Sequence, residues 1–194
     1  MGQRPSRVND ARTAYIGLGA NLGDRLATMR EAVCRLGDLG LVTGVSSLYE
    51  TAPVGYAAQP PFLNAVVELQ TPLDASPLIQ ELLGIEARLG RTRSFPNAPR
   101  TLDLDLLLLG DVVVENDNAI VPHPRLQDRL FVLAPLANLA PDVVHPVLRK
   151  TMKELFDSLQ WSDSVVLVDG PQWVNPQAGG AETIEGRSGN PASG

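Results

Sequence analysis

The sequence predicts an α+β fold, an α/β sandwich with a ferredoxin-like β-α-β-β-α-β core and added C-terminal helices. Three observations predict it. Strand and helix signals alternate in that order between residues 14 and 109. Two of the segments repeat their apolar residues at three- and four-residue steps, while the others are short apolar runs. The chain has 194 residues with 44% hydrophobic and 20% charged side chains, enough for one domain with its own core.

The elements follow in order. Residues 14–20 (AYIGLGA) read as a first strand. Leu22, Leu26, Met29, Val33 and Leu36 then mark a helix, with Gly37 and Gly40 placed to end it. Residues 42–51 read as a second strand and residues 62–69 (FLNAVVEL) as a third. A second helix is expected over 77–89, with Ser76 as N-cap, Pro77 at the first helical position and Gly90 at its end. Leu78, Leu82, Ile85 and Leu89 give it one apolar face. Residues 102–109 form a fourth strand. Beyond it, residues 128–168 add a short helix, another near 151–160, and a strand at 165–168.

The ends read differently. Residues 1–12 are expected to be a disordered leader, and 13–169 a single domain. Residues 170–194, rich in Gly, Pro, Ser and Asn, are expected to be a disordered tail, because such a composition buries too little apolar surface to order itself.

Composition excludes several classes. The net charge of −6 argues against a dedicated nucleic-acid binder. No run of about 18 apolar residues predicts a membrane span, and the N-terminus lacks an apolar signal core; a cytoplasmic location is expected. The single cysteine, Cys34, is expected as a small buried side chain. A monomer is expected, since no exposed apolar stripe stands out.

The chemistry concentrates in RLGRTRSFPNAPRTLDLD, residues 88–105. Arg88, Arg91, Arg93 and Arg100 precede Asp103 and Asp105. On a strand, residues two apart share a face, so the carboxylates stand side by side while Leu102, Leu104 and Leu106 turn to the core. Their repulsion calls for a compensating cation. A pair of Mg²⁺ ions roughly 3.5–4 Å apart would serve and would clamp a triphosphate. No G-x-x-x-x-G-K-[ST] loop exists, and the only lysines are Lys150 and Lys153. Phosphate binding therefore falls to arginine, whose planar fork donates two hydrogen bonds at once. Taken singly, a D-x-D on a strand is often a solvated face and an arginine cluster a solvated loop. Their conjunction within 18 residues of an acidic chain favours phosphate–metal chemistry.

The string APRTLDLDLLL, residues 98–108, closely resembles the signature of hydroxymethyl-dihydropterin pyrophosphokinases. IGLGANLGDR (16–25), SSLYETAPVG (46–55), QPPFLNAVVEL (59–69) and VPHPRLQDRLFVLAPL (121–136) resemble further segments of that family in the same order, so the resemblance covers roughly residues 14–160. It implies transfer of the β,γ-pyrophosphoryl group of ATP, the co-substrate, to 6-hydroxymethyl-7,8-dihydropterin, with release of AMP, in folate biosynthesis. It implies that Asp103 and Asp105 bind two Mg²⁺ ions, and that Arg91 and Arg100 contact phosphates and stabilise charge as the bond to the α-phosphate breaks. Arg93 assists from the same loop, and His123 and Arg129 hold the ATP phosphates from the other side. For the pterin it implies stacking between Phe62 and Phe131, an edge read by Asn64, and backbone groups from Thr51 through Val54 to Gly55. Without the resemblance, Phe62 and Phe131 would read as core. Asn64 within an apolar strand is harder to place there, because a buried amide needs partners.

The loop between Arg93 and Arg100, SFPNAP, departs from the family: it lacks the further basic residue and tryptophan that many members carry, has Ala98 where many have Gly, and is one residue shorter. Phe95 is the available aromatic cover. The general base is not assigned by sequence. Two other readings stay open at this stage: a different D-x-D metal-dependent transferase, and a non-enzymatic ferredoxin-like binding module.

Overall fold

The computed structural model describes residues 11–53, 58–91, 98–159 and 165–175. Its elements are β1 (Arg12–Ala20), α1 (Arg25–Leu36), β2 (Leu41–Val45), β3 (Leu48–Thr51), β4 (Phe62–Thr71), α2 (Ala75–Arg88), β5 (Asp103–Leu109), β6 (Val114–Asn116), β7 (Ala119–Val121), α3 (Leu130–Leu139), α4 (Met152–Ser158) and β8 (Val165–Asp169). The main sheet runs β5-β1-β4-β3-β8, with β2 also on β4, and its pairings are antiparallel. The order β1-α1-(β2,β3)-β4-α2-β5 is the expected ferredoxin-like core, with the second strand in two pieces.

That division has a local cause. Ser46 Oγ donates to Ser47 O and accepts from Val66 N at 2.9 Å, and Ser47 N donates to Asn138 Oδ1. Ser46 N keeps a bond to Val66 O at 2.9 Å, but Val66 N goes to the Ser46 hydroxyl and Ser47 N to Asn138, so the regular ladder on β4 is interrupted between β2 and β3.

Each strand alternates between two faces. Ile16, Leu18, Leu63, Ala65, Leu104 and Leu106 enter one core with Met29 and Leu36 of α1 and Leu78, Leu82 and Ile85 of α2. Tyr15, Val66, Leu107 and Leu108 enter a second core, with Val132, Leu133 and Leu136 of α3 and Met152 and Leu155 of α4. A bulge where β5 meets Tyr15 and Ile16 lets Leu107 and Leu108 serve the same core although adjacent. The second core covers only part of its face. The uncovered part carries the site.

Several expectations are corrected. Leu22 precedes α1 and is exposed; the helix is capped by Asp24, whose Oδ1 accepts from Ala27 N at 3.0 Å. Asp74, not Ser76, holds the N-cap of α2, which places Ser76 and Pro77 within its first turn. Cys34 is exposed, because on α1 it falls between Met29, Ala32 and Leu36, which face the core. The β6–β7 hairpin was not foreseen; Asn116 Oδ1 closes its turn by accepting from Asn118 N and Ala119 N.

The C-terminal boundary also differs. Pro171–Val174 form a 3₁₀ turn in which Trp173 is 1% exposed, its Nε1 donating to Ser46 O at 2.9 Å. A composition averaged over residues 170–194 hides that one anchor. The rest of the expected tail, and residues 1–10 of the expected leader, lie outside the described residues; β1 begins at Arg12, the leader's last residue. Val166, Leu167 and Val168 on edge strand β8 are exposed, so an apolar strip does exist, and the ground for expecting a monomer falls away. Among the described residues no helix is long and apolar enough to cross a membrane.

Candidate active site

The site is laid out by sheet register. Gly19 pairs with Asn64 on β4 and with Asp103 on β5, and Gly17 pairs with Val66 and Asp105. Tyr49 pairs with Asn64, and Thr51 with Phe62. Paired residues share a face, so Asp103, Asp105, Phe62, Asn64 and Thr51 all rise from one surface of four strands. Between the carboxylates and the amide, β1 presents Gly17 and Gly19. A Cβ at Gly19 would sit 3.4 Å from Asn64 Oδ1 and 3.8 Å from Asp103 Cβ. Gly19 leaves its part of the floor without a side chain, while at Gly17 the Leu107 side chain packs over the backbone, 3.4 Å from where a Cβ would stand.

At the β5 end the charges are matched. Arg91 Nη1 lies 2.8 Å from Asp103 Oδ1 and Arg100 Nη1 2.7 Å from Asp103 Oδ2. Arg129 Nη1 lies 3.7 Å from Asp105 Oδ2, and His123 Nε2 4.0 Å from the same oxygen. Burial, with Asp103 adding to it, pushes the Asp105 carboxyl up from its ordinary value; His123, Arg129 and Arg91 oppose that. Burial likewise lowers His123, against the pull of Asp105. His123 is held by its own backbone, its N–H donating to Leu107 O at 2.9 Å, while its Nδ1 accepts from Arg125 N.

The residues fit a hard divalent cation shared with a polyphosphate. Two adjacent carboxylates supply the oxygen donors that Mg²⁺ takes, and Mg²⁺ completes its shell with water and phosphate rather than with a protein cage. Among the described residues no group of three or more His, Cys, Asp and Glu is arranged as such a cage. Arg100 Nε is buried with no hydrogen-bond partner, a donor left over at the mouth of the site.

At the β4 end, Asn64 is 4% exposed and its Nδ2 donates to Thr51 Oγ1 at 2.8 Å. The Phe62 ring has the Arg100 guanidinium 5.5 Å from its centroid, and the Phe131 ring that of Arg129 at 5.6 Å. Both rings therefore carry a cation on one face.

The structure thus gathers Arg91, Arg100, Asp103, Asp105, His123 and Arg129 at one end and Thr51, Phe62 and Asn64 at the other, with Phe131 packed on the second core behind Arg129. Arg93, Phe95, Val54 and Gly55 lie outside the described residues. Besides the two glycines, sequence reasoning missed two polar members. Asn21 is 2% exposed: its Oδ1 accepts from Arg100 N at 2.8 Å, and its Nδ2 donates to Gln59 Oε1 and Pro60 O. It bolts the segment before β5 to the segment before β4. Glu86 is also 2% exposed, and its Oε1 accepts from Leu104 N at 2.7 Å and pairs with Arg91. The signal for Glu86 was present, because it stands four residues after Leu82 on the apolar stripe of α2.

Residues 15–141 match the family model for 7,8-dihydro-6-hydroxymethylpterin-pyrophosphokinase (HPPK). The chain is 50% identical over 132 residues to the 2-amino-4-hydroxy-6-hydroxymethyldihydropteridine pyrophosphokinase of Bacillus subtilis, covering 67% of this chain and 79% of that one. It is 37% identical over 142 residues to the protein of the same name from Aquifex aeolicus, covering 73% and 89%. To the folic acid synthesis protein fol1 of Pneumocystis carinii it is 38% identical over 151 residues, but spans only 20% of that longer chain. In solved structures the same fold recurs in a wild-type HPPK-DHPS of Plasmodium falciparum, with TM-score 0.60 and 16% identity over 78% of this chain and 45% of that one. It recurs again in an HPPK-DHPS complex with substrates, with TM-score 0.63 and 12% identity over 76% and 43%. The matched region holds every described residue of the site from Gly17 to Phe131, and by it the chain belongs to the 7,8-dihydro-6-hydroxymethylpterin pyrophosphokinase family.

Proposed function

We infer that this chain transfers the β,γ-pyrophosphoryl group of ATP to the hydroxymethyl oxygen of 6-hydroxymethyl-7,8-dihydropterin, a step of folate biosynthesis. The observation that carries the reading is the shared sheet face: a carboxylate pair ringed by arginines stands across two glycines from a buried amide. One end suits a polyphosphate, the other a flat heterocycle with a donor–acceptor edge.

The pterin lies against the Gly19 floor, its edge read by Asn64 with Thr51 behind the amide and its faces met by Phe62 and Phe131. Arg100, over Phe62 and beside Asp103, stands where the two substrates meet. Arg91 and Arg100 donate to the phosphates, and His123 and Arg129 grip them from the far side. Asp103 and Asp105 would hold Mg²⁺, two ions in our reading, which when bound would neutralise polyphosphate charge. In the transfer, the hydroxymethyl oxygen forms a bond to the β-phosphorus. The bond from that phosphorus to the bridging oxygen of the α-phosphate breaks, and AMP leaves with the electron pair. The hydroxyl proton passes to solvent. Such transfers depend on positioning and charge stabilisation more than on covalent help from the protein. Arg93, Val54 and Gly55 keep the roles that the resemblance implies.

Mixing the protein with ATP, Mg²⁺ and the dihydropterin tests this. AMP and pterin diphosphate formed in equal amounts is the expected result. ADP would indicate simple phosphoryl transfer, and no nucleotide turnover by folded protein would sink the reading.

A further inference from the structure

Glu86 is a buried carboxylate that none of the steps above uses. It lies near the C-terminal end of α2, with its side chain 3% exposed. The helix ends in a reciprocal pair of backbone bonds around Gly90 (φ +81°): Gly90 N donates to Ala87 O at 3.2 Å and Arg91 N donates to Glu86 O at 3.0 Å. The same residue that accepts the Arg91 backbone also takes its side chain, since Arg91 Nη1 pairs with Glu86 Oε1. That oxygen accepts from Leu104 N at 2.7 Å as well. Leu104 stands between Asp103 and Asp105 on β5, which among the described residues pairs with β1 alone and so forms an edge of the sheet. One carboxylate therefore ties together the end of α2, the Arg91 guanidinium and the strand that carries both aspartates.

A side chain serving only to fill this place on the apolar stripe would not be charged. Burial pushes the Glu86 carboxyl above its ordinary value, and Asp103 adds to that, while the Leu104 N–H and Arg91 pull it back. The charge has a use because Arg91 has two carboxylate partners here, Glu86 and Asp103. If Asp103 holds a metal ion, as in the reading above, its oxygens would be drawn to that ion and away from Arg91. A guanidinium held by Asp103 alone would then be released. Glu86, fixed by Leu104 N and 3% exposed in its side chain, is not among the groups read as holding the metal.

We propose that Glu86 is a positioning residue for the transfer: it anchors Arg91 from behind, so that the guanidinium stays aimed at the phosphates when Asp103 engages the metal. This rests on the reading of Arg91 as a phosphate-contacting residue.

The test is a double-mutant cycle on the full chain with Glu86→Gln, Arg91→Ala and the two combined. Glutamine keeps the shape and an acceptor for Leu104 N, and removes the charge that holds Arg91. Glu86→Gln is expected to melt within a few degrees of the wild type and to lower kcat about ten-fold or more, with KM for the pterin within about two-fold. The double variant is expected to be no slower than Arg91→Ala alone. A kcat for Glu86→Gln within two-fold of wild type would overturn the proposal. So would losses that multiply in the double variant, since Glu86 would then act independently of Arg91. If Glu86→Gln unfolds, Glu86→Asp replaces it; the shortened carboxylate keeps the charge but withdraws from its partners, and an unchanged kcat would again refute the idea. A second readout needs no turnover. In an Asp103→Asn background, which removes the second carboxylate partner of Arg91, the ¹⁵N signals of the Arg91 guanidinium, assigned by their loss on adding Arg91→Ala, should show hindered rotation with Glu86 intact and free rotation once Glu86→Gln is added. Free rotation in Asp103→Asn with Glu86 intact would refute the anchoring even though that variant makes no AMP.

Discussion

Gly19 shows what one residue settles. Its neighbours across the sheet are Asn64 and Asp103, one from each half of the site. A Cβ there meets nothing closer than 3.4 Å, so the empty protein has room for it. The substrate has none, because the added atoms stand on the floor against which the pterin lies. Gly19→Ala should therefore melt close to the wild type yet weaken pterin binding by about ten-fold or more, a loss of roughly 1.4 kcal/mol. Titration calorimetry with the pterin measures the affinity and a thermal melt the stability. Equal affinity would remove Gly19 from the pterin floor. At this scale the sequence was informative for charged and amide residues. Asp103, Asp105, Arg91 and Arg100 stand together as their spacing implied, and Asn64 is buried with a partner as an amide in an apolar strand requires. It was silent on Gly17 and Gly19, because a glycine's contribution is the side chain it lacks, and only the strands on either side show what that opens.

At the scale of elements, polar residues decide where regular structure stops. Periodicity located both helices and the central strands, since amphipathic faces must meet the two cores. It ran β2 and β3 together because Ser46 and Ser47 interrupt the pairing through partners distant in sequence, Val66 and Asn138. His145 does similar work in the turn before α4. It is 4% exposed, and its Nδ1 accepts from Val147 N and Leu148 N, both at 3.2 Å. Only a neutral imidazole has that lone pair, and burial lowers the His145 pKa. The sign follows from linkage. A depressed folded value means that the unfolded chain takes the proton more readily. The contribution is intact above about pH 6.5, the ordinary histidine value, and is lost as pH falls through the lowered folded value. His145→Asn replaces the ring with an acceptor that does not titrate. Melts at pH 7.5 and 5.5 should show the wild-type advantage over His145→Asn shrinking on acidification; parallel losses would show that His145 is not the group responsible. Trp173 supplies the matching case for packing. Truncating a buried Trp costs about 3–5 kcal/mol, so Trp173→Ala should unfold at markedly lower denaturant than wild type. An unchanged midpoint would mean that the turn after β8 merely rests on α1.

Across the whole molecule, two faces of one sheet divide the labour. The first is closed by α1 and α2 and holds the larger core; the second is only partly closed by α3 and α4, and what they leave bare is the site. That partition was beyond the sequence, because nothing in an apolar run states how far along the sheet a later helix will reach. Charge follows the same plan. The chain as a whole is acidic, with a net charge of −6, yet the carboxylate pair is surrounded by Arg91, Arg100, Arg129 and His123. The repulsion between Asp103 and Asp105 is thus offset by the three arginines, His123 being pushed toward its neutral form by burial. A metal ion held by that pair would serve the reaction and would not be needed to hold the strands together, since both aspartates already have arginine partners. Chelation therefore separates the two contributions. With EDTA present, AMP formation should stop, while the melting temperature without nucleotide should shift by less than about 2 °C, corresponding to under about 0.5–1 kcal/mol for a chain of this size. Restoring Mg²⁺ should recover the activity in full. A large drop in melting temperature on chelation would mean that a bound ion, and not the arginines, balances the aspartates in the free protein, and the arginines would then be placed for the phosphates alone.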